Sequence, residues 1–550
     1  MAGQYGGQQI VIIDPSKERT RGRDALSMNI DAAKAVSNIV KTTLGPKGMD
    51  KMLVNQIGDI VLTNDGATIL KEMAIEHPTA KMIVEVARTQ EKIAGDGTTS
   101  AVILAGTLLE NARDLVDIGV HPAIIVKGYR LAAQKAISLF EDFAISVTAD
   151  DKEILNKIAK TSITGKAIEA HGDFLSSICV DAVLAIRGNG SINIDDNILI
   201  IQDSGSKIDE TELVEGVVLN KWRLLQNMPS RIENAKIALI DTPLDLGKTF
   251  NKSKVQIQSA DDMIAFVEQE ESYFKNMVDA IVKSGANVVL CSKNIDDPAL
   301  HYLQKNNIYA TRRVKDNEMK NISRATGARI IRNVHEIEAN DLGSAGLVEQ
   351  IGASEVGKTY IKECTNAKSV TIIVRGATDH VTDNIERSLD DALRVVKNVI
   401  EDGTIVPGGG ASEIDVALGL RAYAASVGGR EQMAISAFAD AIEAIPKALA
   451  TNAGYDSIDM ILDMRAKHSN MKNAGLNVFT GEIEDMLENG IVDSLRVKTQ
   501  AIKSASEAAT MVLRIDDVLR AQRQDMQDVK REHNIHNYDG MSAPLLENRR

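Results

Sequence analysis

Apolar residues recur at Ile30, Ala33, Val36, Val40 and Leu44, a spacing that predicts one helical face over Asn29 to Leu44. Gly45 and Pro46 follow as stop signals. The stretch "KMLVNQIGDIVLTNDG" predicts two short strands joined by a turn, then a second turn at Asn64-Asp65-Gly66 and a helix from Ala67. Ala101, Leu104, Ala105, Leu108, Ala112 and Leu115 repeat at helical spacing within 98–116, and 123–143 predicts another helix. Up to residue 147 the pattern is mostly helical, rich in alanine and poor in breakers.

The pattern changes near residue 190. "SINIDDNILIIQDSG" and "ETELVEGVVLN" predict strands and turns, "AKIALIDTPLDL" and "GANVVLCSK" predict buried strands, and "SADDMIAFVEQEESYFKNMVDAIVKSG" predicts a long amphipathic helix. "IYATRRV", "MKNISRATGARII" and "KSVTIIVRG" continue the strand–helix alternation, so the middle of the chain reads as α/β. Helix returns over Thr378 to Asp402, ends at Gly403, and resumes after "IVPGGG". The last thirty residues are polar and predict a tail.

Composition narrows the class. At 550 residues the chain exceeds what one core supports, so several domains are expected. Aromatics are 3%, so the cores must be built from Ala, Val, Ile, Leu and Met. A net charge of −14, with no dense Lys/Arg block, excludes a protein that works by neutralising nucleic-acid phosphates. Cys179, Cys291 and Cys364 have neither disulfide-framework nor zinc spacing and read as reduced structural thiols. No run approaches the ~18 apolar residues of a membrane span, and "MAGQYGGQQIVII" lacks a signal-peptide pattern. These features predict a soluble cytoplasmic protein.

The candidate chemistry lies in glycine-containing turns. "AGDGTTSAVILAG", Ala94 to Gly106, sets an acid, two glycines and three hydroxyl residues before a helix. One reading is a helix cap supplied by Asp96 or Thr98. The other is an anion cradle, in which Gly95 and Gly97 free the backbone and the helix N-terminus aims N–H groups at a phosphate. An acid within such a cradle makes sense if Mg²⁺ lies between carboxylate and phosphate. The loop is not a Walker A sequence. "TLGPKG", "TNDG" and "PGGG" are each weak alone, but four such turns in one chain suggest a nucleotide cradle built from distant segments.

"TLGPKGMDKMLV", "VLTNDGATIL", "AGDGTTSAVILAG", "ERSLDDAL", "IVPGGGASE" and "RVKTQAIKSASEAATMVLRIDDV" together resemble the group II chaperonins, most of all archaeal thermosome subunits, from near residue 20 to near 516. The resemblance implies the multidomain chaperonin fold. A mostly α equatorial ATPase domain would span 1–147 and 407–550, an α/β intermediate hinge domain 148–218 and 370–406, and an α/β apical substrate domain 219–369. A helical lid protrusion is expected over about 242–276, offering Phe250, Met263, Ile264, Phe266 and Phe274, a stripe that periodicity alone would put in a core. The implied activity is an ATPase that encloses and folds non-native polypeptides. Its subunits, identical or paralogous, would stack in two rings of about eight. ATP and Mg²⁺ are the implied cofactors, with K⁺ a further candidate. No nucleic-acid or membrane partner is implied.

Roles follow by matching motifs. Asp96 would hold Mg²⁺, and Gly97, Thr98, Thr99 and Ser100 would donate to the phosphates. Leu44, Gly45 and Pro46 would line the opposite side, and Gly409 and Gly410 would approach closely where a Cβ would intrude. Asp493 matches an acid at the ribose, and Asn477 and Val478, with Phe479, a segment beside the adenine. Asp65 and Asp391 would orient the attacking water, and Lys166 would sense the γ-phosphate. Read from spacing alone, Asp391 shares a polar helix face with Asn384, Arg387, Arg394 and Asn398 that would be solvated by default, and Lys166 is a surface lysine. Asp391 rather than Asp390 is matched because it directly precedes Ala392-Leu393. Two other functions fit the residues before the resemblance is weighed: a small-molecule kinase or ATPase with a separate α/β substrate domain, and a structural ring or filament protein.

Overall fold

The computed structural model describes residues 19–54, 58, 60–166, 168–187, 192–246, 260–352, 357–364 and 369–519. Three regions emerge, each organised around its own apolar interior. The first is helical. Gly22–Lys41, Pro78–Ala94, Thr98–Asp117 and Pro122–Phe143 pack with Ala411–Val427, Glu431–Ile442 and Leu495–Val512 from the far end of the chain. Ile30, Leu104, Leu108, Tyr129, Phe140 and Phe438 are buried at its centre. Tyr129 meets Phe438 edge-on at 5.6 Å between ring centroids and donates its hydroxyl to the Leu108 carbonyl at 2.7 Å, so one of the few aromatics is buried with its polar end satisfied. The two halves are also joined by backbone pairing, Arg19–Arg21 lying antiparallel to Asp517–Leu519.

The second region places helices Lys152–Ile163, Gly172–Ile186 and Asp379–Asp402 against a three-stranded sheet. Its central strand, Val370–Gly376, runs parallel to Ile198–Ser204 and antiparallel to Glu212–Val214. The Asp379–Asp402 helix has both ends marked in sequence: Thr378 accepts from the Val381 N–H, and Gly403 adopts φ 65°.

The third region is a seven-stranded mixed sheet. Its order is Tyr309–Thr311, Val288–Cys291, Arg231–Ile240, Gly343–Ile351, Lys358–Cys364 and Gly216–Leu219, with Ile330–Ile331 beside Arg231–Ile240. Val288–Cys291 is buried along its whole length, as expected of a parallel strand covered on both faces. Helices Ala260–Ser284 and Asp297–Lys305 contribute to the core on one face, and Asp316–Thr326 to that on the other.

The mixed helix–sheet, multi-core architecture agrees with the sequence reading. The change of pattern near residue 190 lies inside the second region, whose helices Lys152–Ile163 and Gly172–Ile186 already pack on its sheet. Much of the expected protrusion, residues 247–259 with Phe250, lies outside the described residues. Of its described apolar residues, Ile264 is exposed and Phe274 is buried in the third core. The three cysteines are free thiols, Cys179 and Cys291 buried, which agrees with structural roles.

Candidate active site

Helix Pro78–Ala94 ends at Gly95, and the next helix starts at Thr98. The N-cap position is Gly97, with φ 75°, and a Cβ there would lie 2.6 Å from Val497 Cγ1. Left-handed backbone and lack of space both require glycine. A glycine offers no capping side chain, and Asp96 Oδ1 accepts from the Gly97 N–H at 2.6 Å rather than from the helix. The capping alternative for Asp96 or Thr98 is therefore wrong: this helix has no side-chain cap. Its first-turn N–H groups, on Thr98, Thr99 and Ser100, stay open to the adjoining cleft with the positive end of the helix dipole behind them. Gln90 Nε2 fixes the turn by donating to the Asp96 carbonyl at 2.8 Å and to the Val497 carbonyl at 3.0 Å.

A second uncapped helix points at the same cleft. Ala411–Val427 has Gly410 at its N-cap, with φ 81° and Pro446 Cβ 2.6 Å from where a Cβ would stand. At Gly409 a Cβ would meet Met486 Sδ at 2.5 Å, so at both positions the close approach is to the protein itself. The Gly408–Gly410 loop is anchored by the Gly408 N–H to the Ile491 carbonyl at 2.9 Å and by strand pairing of Val406 with Asp493.

The acids gather between these helices and the second region. Asp65 caps helix Gly66–Glu72, accepting from the Thr68 N–H at 2.7 Å, and also accepts from Thr98 Oγ1 at 3.1 Å. Asn64 Nδ2 donates to the Gly165 carbonyl at 3.0 Å, which brings Lys166 to the same place. Lys166 Nζ donates to Asp391 Oδ2 at 2.5 Å, with side chains 16% and 19% exposed. The default of a solvated face for Asp391 and a surface Lys166 is thus overturned: each covers the other. Asp390, by contrast, turns to Arg394 at 2.9 Å. Burial first, then the Lys166-opposed influence of Asp65 and Asp96, pushes the Asp391 carboxyl well above the usual range. Burial alone would lower the Lys166 ammonium, but Asp391, Asp96 and Asp65 together raise it and hold it charged.

All seventeen residues given nucleotide-site roles from the sequence line one cleft of about 950 Å³. Asn477 shapes its own loop, donating to Glu484 Oε2 at 3.0 Å and accepting from the Phe479 N–H at 3.0 Å, while Phe479 stands at the cleft edge with Lys47 Nζ 5.0 Å from its ring centre. Among the further lining residues to which the sequence reading gave no role are Glu413 and Lys498. Both sit inside quoted motifs, "PGGGASE" and "RVKTQ", so a signal was present.

The donor set fits a divalent cation bound together with phosphate. Three carboxylates, Asp65, Asp96 and Asp391, act on one another with Lys166 as the compensating cation, leaving excess negative charge at the floor of the cleft. Among the described residues no group of three or more His, Cys, Asp or Glu forms a closed metal cage. Mg²⁺ requires none, since it binds through one or two carboxylates and takes its remaining ligands from phosphate and water.

A cleft with two helix N-termini that lack side-chain caps, clustered acids and a buried lysine suits a phosphate-handling enzyme, and comparison supplies its class. The TCP-1/cpn60 chaperonin family model matches residues 36–523, and the chain belongs to that family. Among curated proteins, it is 51% identical to a thermosome subunit of Methanothermococcus thermolithotrophicus, over 94% of this chain and 95% of that one. It is 51% identical to thermosome subunit 1 of Haloferax volcanii, over 94% and 92%, and 50% identical to thermosome subunit beta of Archaeoglobus fulgidus, over 94% and 95%. As a chaperonin of this kind the chain is an ATP-driven protein-folding ATPase, and the small-molecule-kinase alternative is not favoured. Among the described residues no helix is long and apolar enough to cross a membrane.

Proposed function

We propose that this chain hydrolyses Mg-ATP in the cleft between its first and second regions and uses the cycle to enclose and fold non-native polypeptides in the cytoplasm. The observation that carries the reading is the meeting of two uncapped helix N-termini with Asp65, Asp96, Asp391 and Lys166 in one cleft. The N–H groups of Thr98, Thr99 and Ser100, with the threonine and serine hydroxyls, hold the phosphates. Asp96 faces the metal, which when bound offsets phosphate charge. Leu44 to Pro46 and Asn477 to Phe479 enclose the base, and Asp493 accepts from the ribose. Asp391 and Asp65 orient the attacking water and take up its proton, while Lys166 exchanges its hold on Asp391 for the γ-phosphate. Phosphoryl transfer is governed by such positioning and charge stabilisation.

The domain reading accompanies this one: 1–147 with 407–550 equatorial, 148–218 with 370–406 intermediate, 219–369 apical with a lid over about 242–276. Subunits of 59.5 kDa assemble as two stacked rings of about eight, a particle of about one megadalton. The test is direct. The purified protein is expected to form double rings in negative-stain images, to hydrolyse ATP only with Mg²⁺, and to rescue a chemically denatured client only when ATP is supplied. A monomer or dimer that phosphorylates a small acceptor overturns the reading. So does a ring that gives no ATP-dependent rescue.

A further inference from the structure

Outside the phosphate end, the cleft contains a second ion cluster. Lys498 lies in the first turn of helix Leu495–Val512. Its Nζ donates to Asp493 Oδ2 at 2.6 Å and to Glu413 Oε1 at 2.8 Å, with the lysine side chain 14% exposed and the glutamate 1%. Glu413 is itself completed by Ser412 Oγ, which donates to Oε2 at 3.0 Å. Asp493 Oδ1 has no partner among the described residues, and Asp493 and Lys498 both line the cleft.

We propose that Lys498 is a positioning residue for ribonucleotide selection: anchored by Glu413, it fixes the Asp493 carboxylate so that its free oxygen is presented to a ribose hydroxyl. This rests on the reading of Asp493 as the ribose acceptor. The two carboxylates come from different elements, Glu413 from the first turn after the Gly408–Gly410 loop and Asp493 from the strand before Leu495–Val512. They converge on one ammonium. Without that ammonium they are two like charges in a poorly solvated place, and the more exposed one, Asp493, turns away from Glu413. That removes a fixed acceptor. A hydroxyl-reading site rejects the analogue lacking that hydroxyl because its own polar group is left unpaired. That discrimination therefore depends on Lys498, although Lys498 need not touch the nucleotide.

The experiment compares the assembled wild-type protein with Lys498→Met, Lys498→Arg, Asp493→Asn and the double variant Lys498→Met/Glu413→Gln. The readout is the ratio of KM for 2′-deoxy-ATP and for 3′-deoxy-ATP to KM for ATP. At least one deoxy analogue is expected to raise KM in the wild type by ~10-fold or more, the effect of one charge-assisted hydrogen bond. Lys498→Met should collapse that ratio to the Asp493→Asn level, and Lys498→Arg should restore part of it. If Lys498→Met does not fold, the double variant, which leaves no orphaned Glu413 charge, carries the comparison: assembly restored, discrimination still lost. Lys498→Met or the double variant keeping the wild-type ratio while Asp493→Asn loses it overturns the role of Lys498. A wild type indifferent to both deoxy analogues overturns the ribose assignment and the proposal with it. Absence of ATP turnover in the wild type overturns the functional reading itself.

Discussion

Replacing Asp391 by Asn, with Asp390→Asn beside it, tests the site where two adjacent acids on one helix have opposite surroundings. Asp390 is 37% exposed and paired four residues on with Arg394, whose guanidinium is also held by Asp195 at 2.6 Å. An exposed i,i+4 pair is worth about 0.3–0.5 kcal/mol. Asp390→Asn should therefore lower the apparent Tm by about 1–2 °C and leave kcat nearly unchanged. Asp391 is enclosed with Lys166 and near Asp65 and Asp96. Asn at 391 keeps the shape but cannot accept a proton, so kcat should fall by ~10²–10⁴, a barrier increase of about 3–5 kcal/mol, with ATP affinity within a few-fold of wild type. Single-turnover phosphate release from pre-bound ATP, together with equilibrium nucleotide titration, separates the two quantities. The pH profile adds a signed check. A base that acts ionised loses activity as pH falls through its folded pKa, and Asp391's is raised, chiefly by burial. The acid limb of kcat should thus lie above the range of an ordinary aspartate, and Lys166→Met, which removes the opposing charge, should move it higher still. Wild-type release by Asp391→Asn, or the slow phenotype at Asp390→Asn, refutes the assignment.

Three other outcomes follow from named contacts. Asp96→Ala should raise the Mg²⁺ concentration needed for half-maximal hydrolysis while leaving ring assembly intact, measured by Mg²⁺ titration at fixed ATP. Gly97→Ala places a side chain at φ 75° and 2.6 Å from Val497 Cγ1, a backbone cost of about 1–2 kcal/mol before the clash is counted; both Tm and ATP affinity should drop. Glu443 is fully buried between Arg421 and Arg465; burial alone would raise its carboxyl, but the two guanidiniums outweigh that and lower it. Its contribution is present above the unfolded pKa of about 4.3 and is lost as pH falls through the lower folded value, so Glu443→Gln should cost about 3 kcal/mol near neutrality and less in acid, read from denaturant midpoints at two pH values.

Local features of the fold were legible because they depend on neighbours in sequence. The helix from Thr98, the turn at Asn64 to Gly66 and the Thr378 and Gly403 boundaries all follow from spacing and breakers. What failed was any inference about what covers a face. Asp391 sits on a polar stripe, and the residue that buries it, Lys166, is 225 positions earlier. The cap reading of Asp96 failed for a different reason: an acid two residues before a helix is a good cap only if the intervening backbone lets it fold back, and the left-handed Gly97 directs it elsewhere. The Glu413–Lys498 pair spans 85 positions and left no mark in periodicity. The four glycine-containing turns suggested a cradle built from distant segments and motif resemblance put residue numbers to it, but neither indicated which side chains serve one another.

The cleft has one further physical property that bears on how it works. The turn before Thr98, the proposed phosphate cradle, belongs to the first core, whereas Asp391 and Lys166 ride on segments of the second. Among the ties between these bodies near the site, Arg496 of helix Leu495–Val512 donates to Asn398 Oδ1 at 2.9 Å and to Glu401 and Asp402, and three more hydrogen bonds go to backbone carbonyls: Asn64 to Gly165 at 3.0 Å, Asn398 to Ala94 at 2.8 Å and Arg387 to Leu62 at 3.3 Å. Of those three, two are neutral and one is charge-assisted, so they alone contribute about 3–5 kcal/mol. A ligand can shift a two-state arrangement only by its difference in affinity for the two states. To replace these ties, a nucleotide must prefer the rearranged cleft by roughly 10²–10⁴-fold. On the proposed reading, a γ-phosphate that takes Lys166 from Asp391 would supply an interaction of that size, because one buried charge pair would be exchanged for another while the acid is released toward the water that it is proposed to orient.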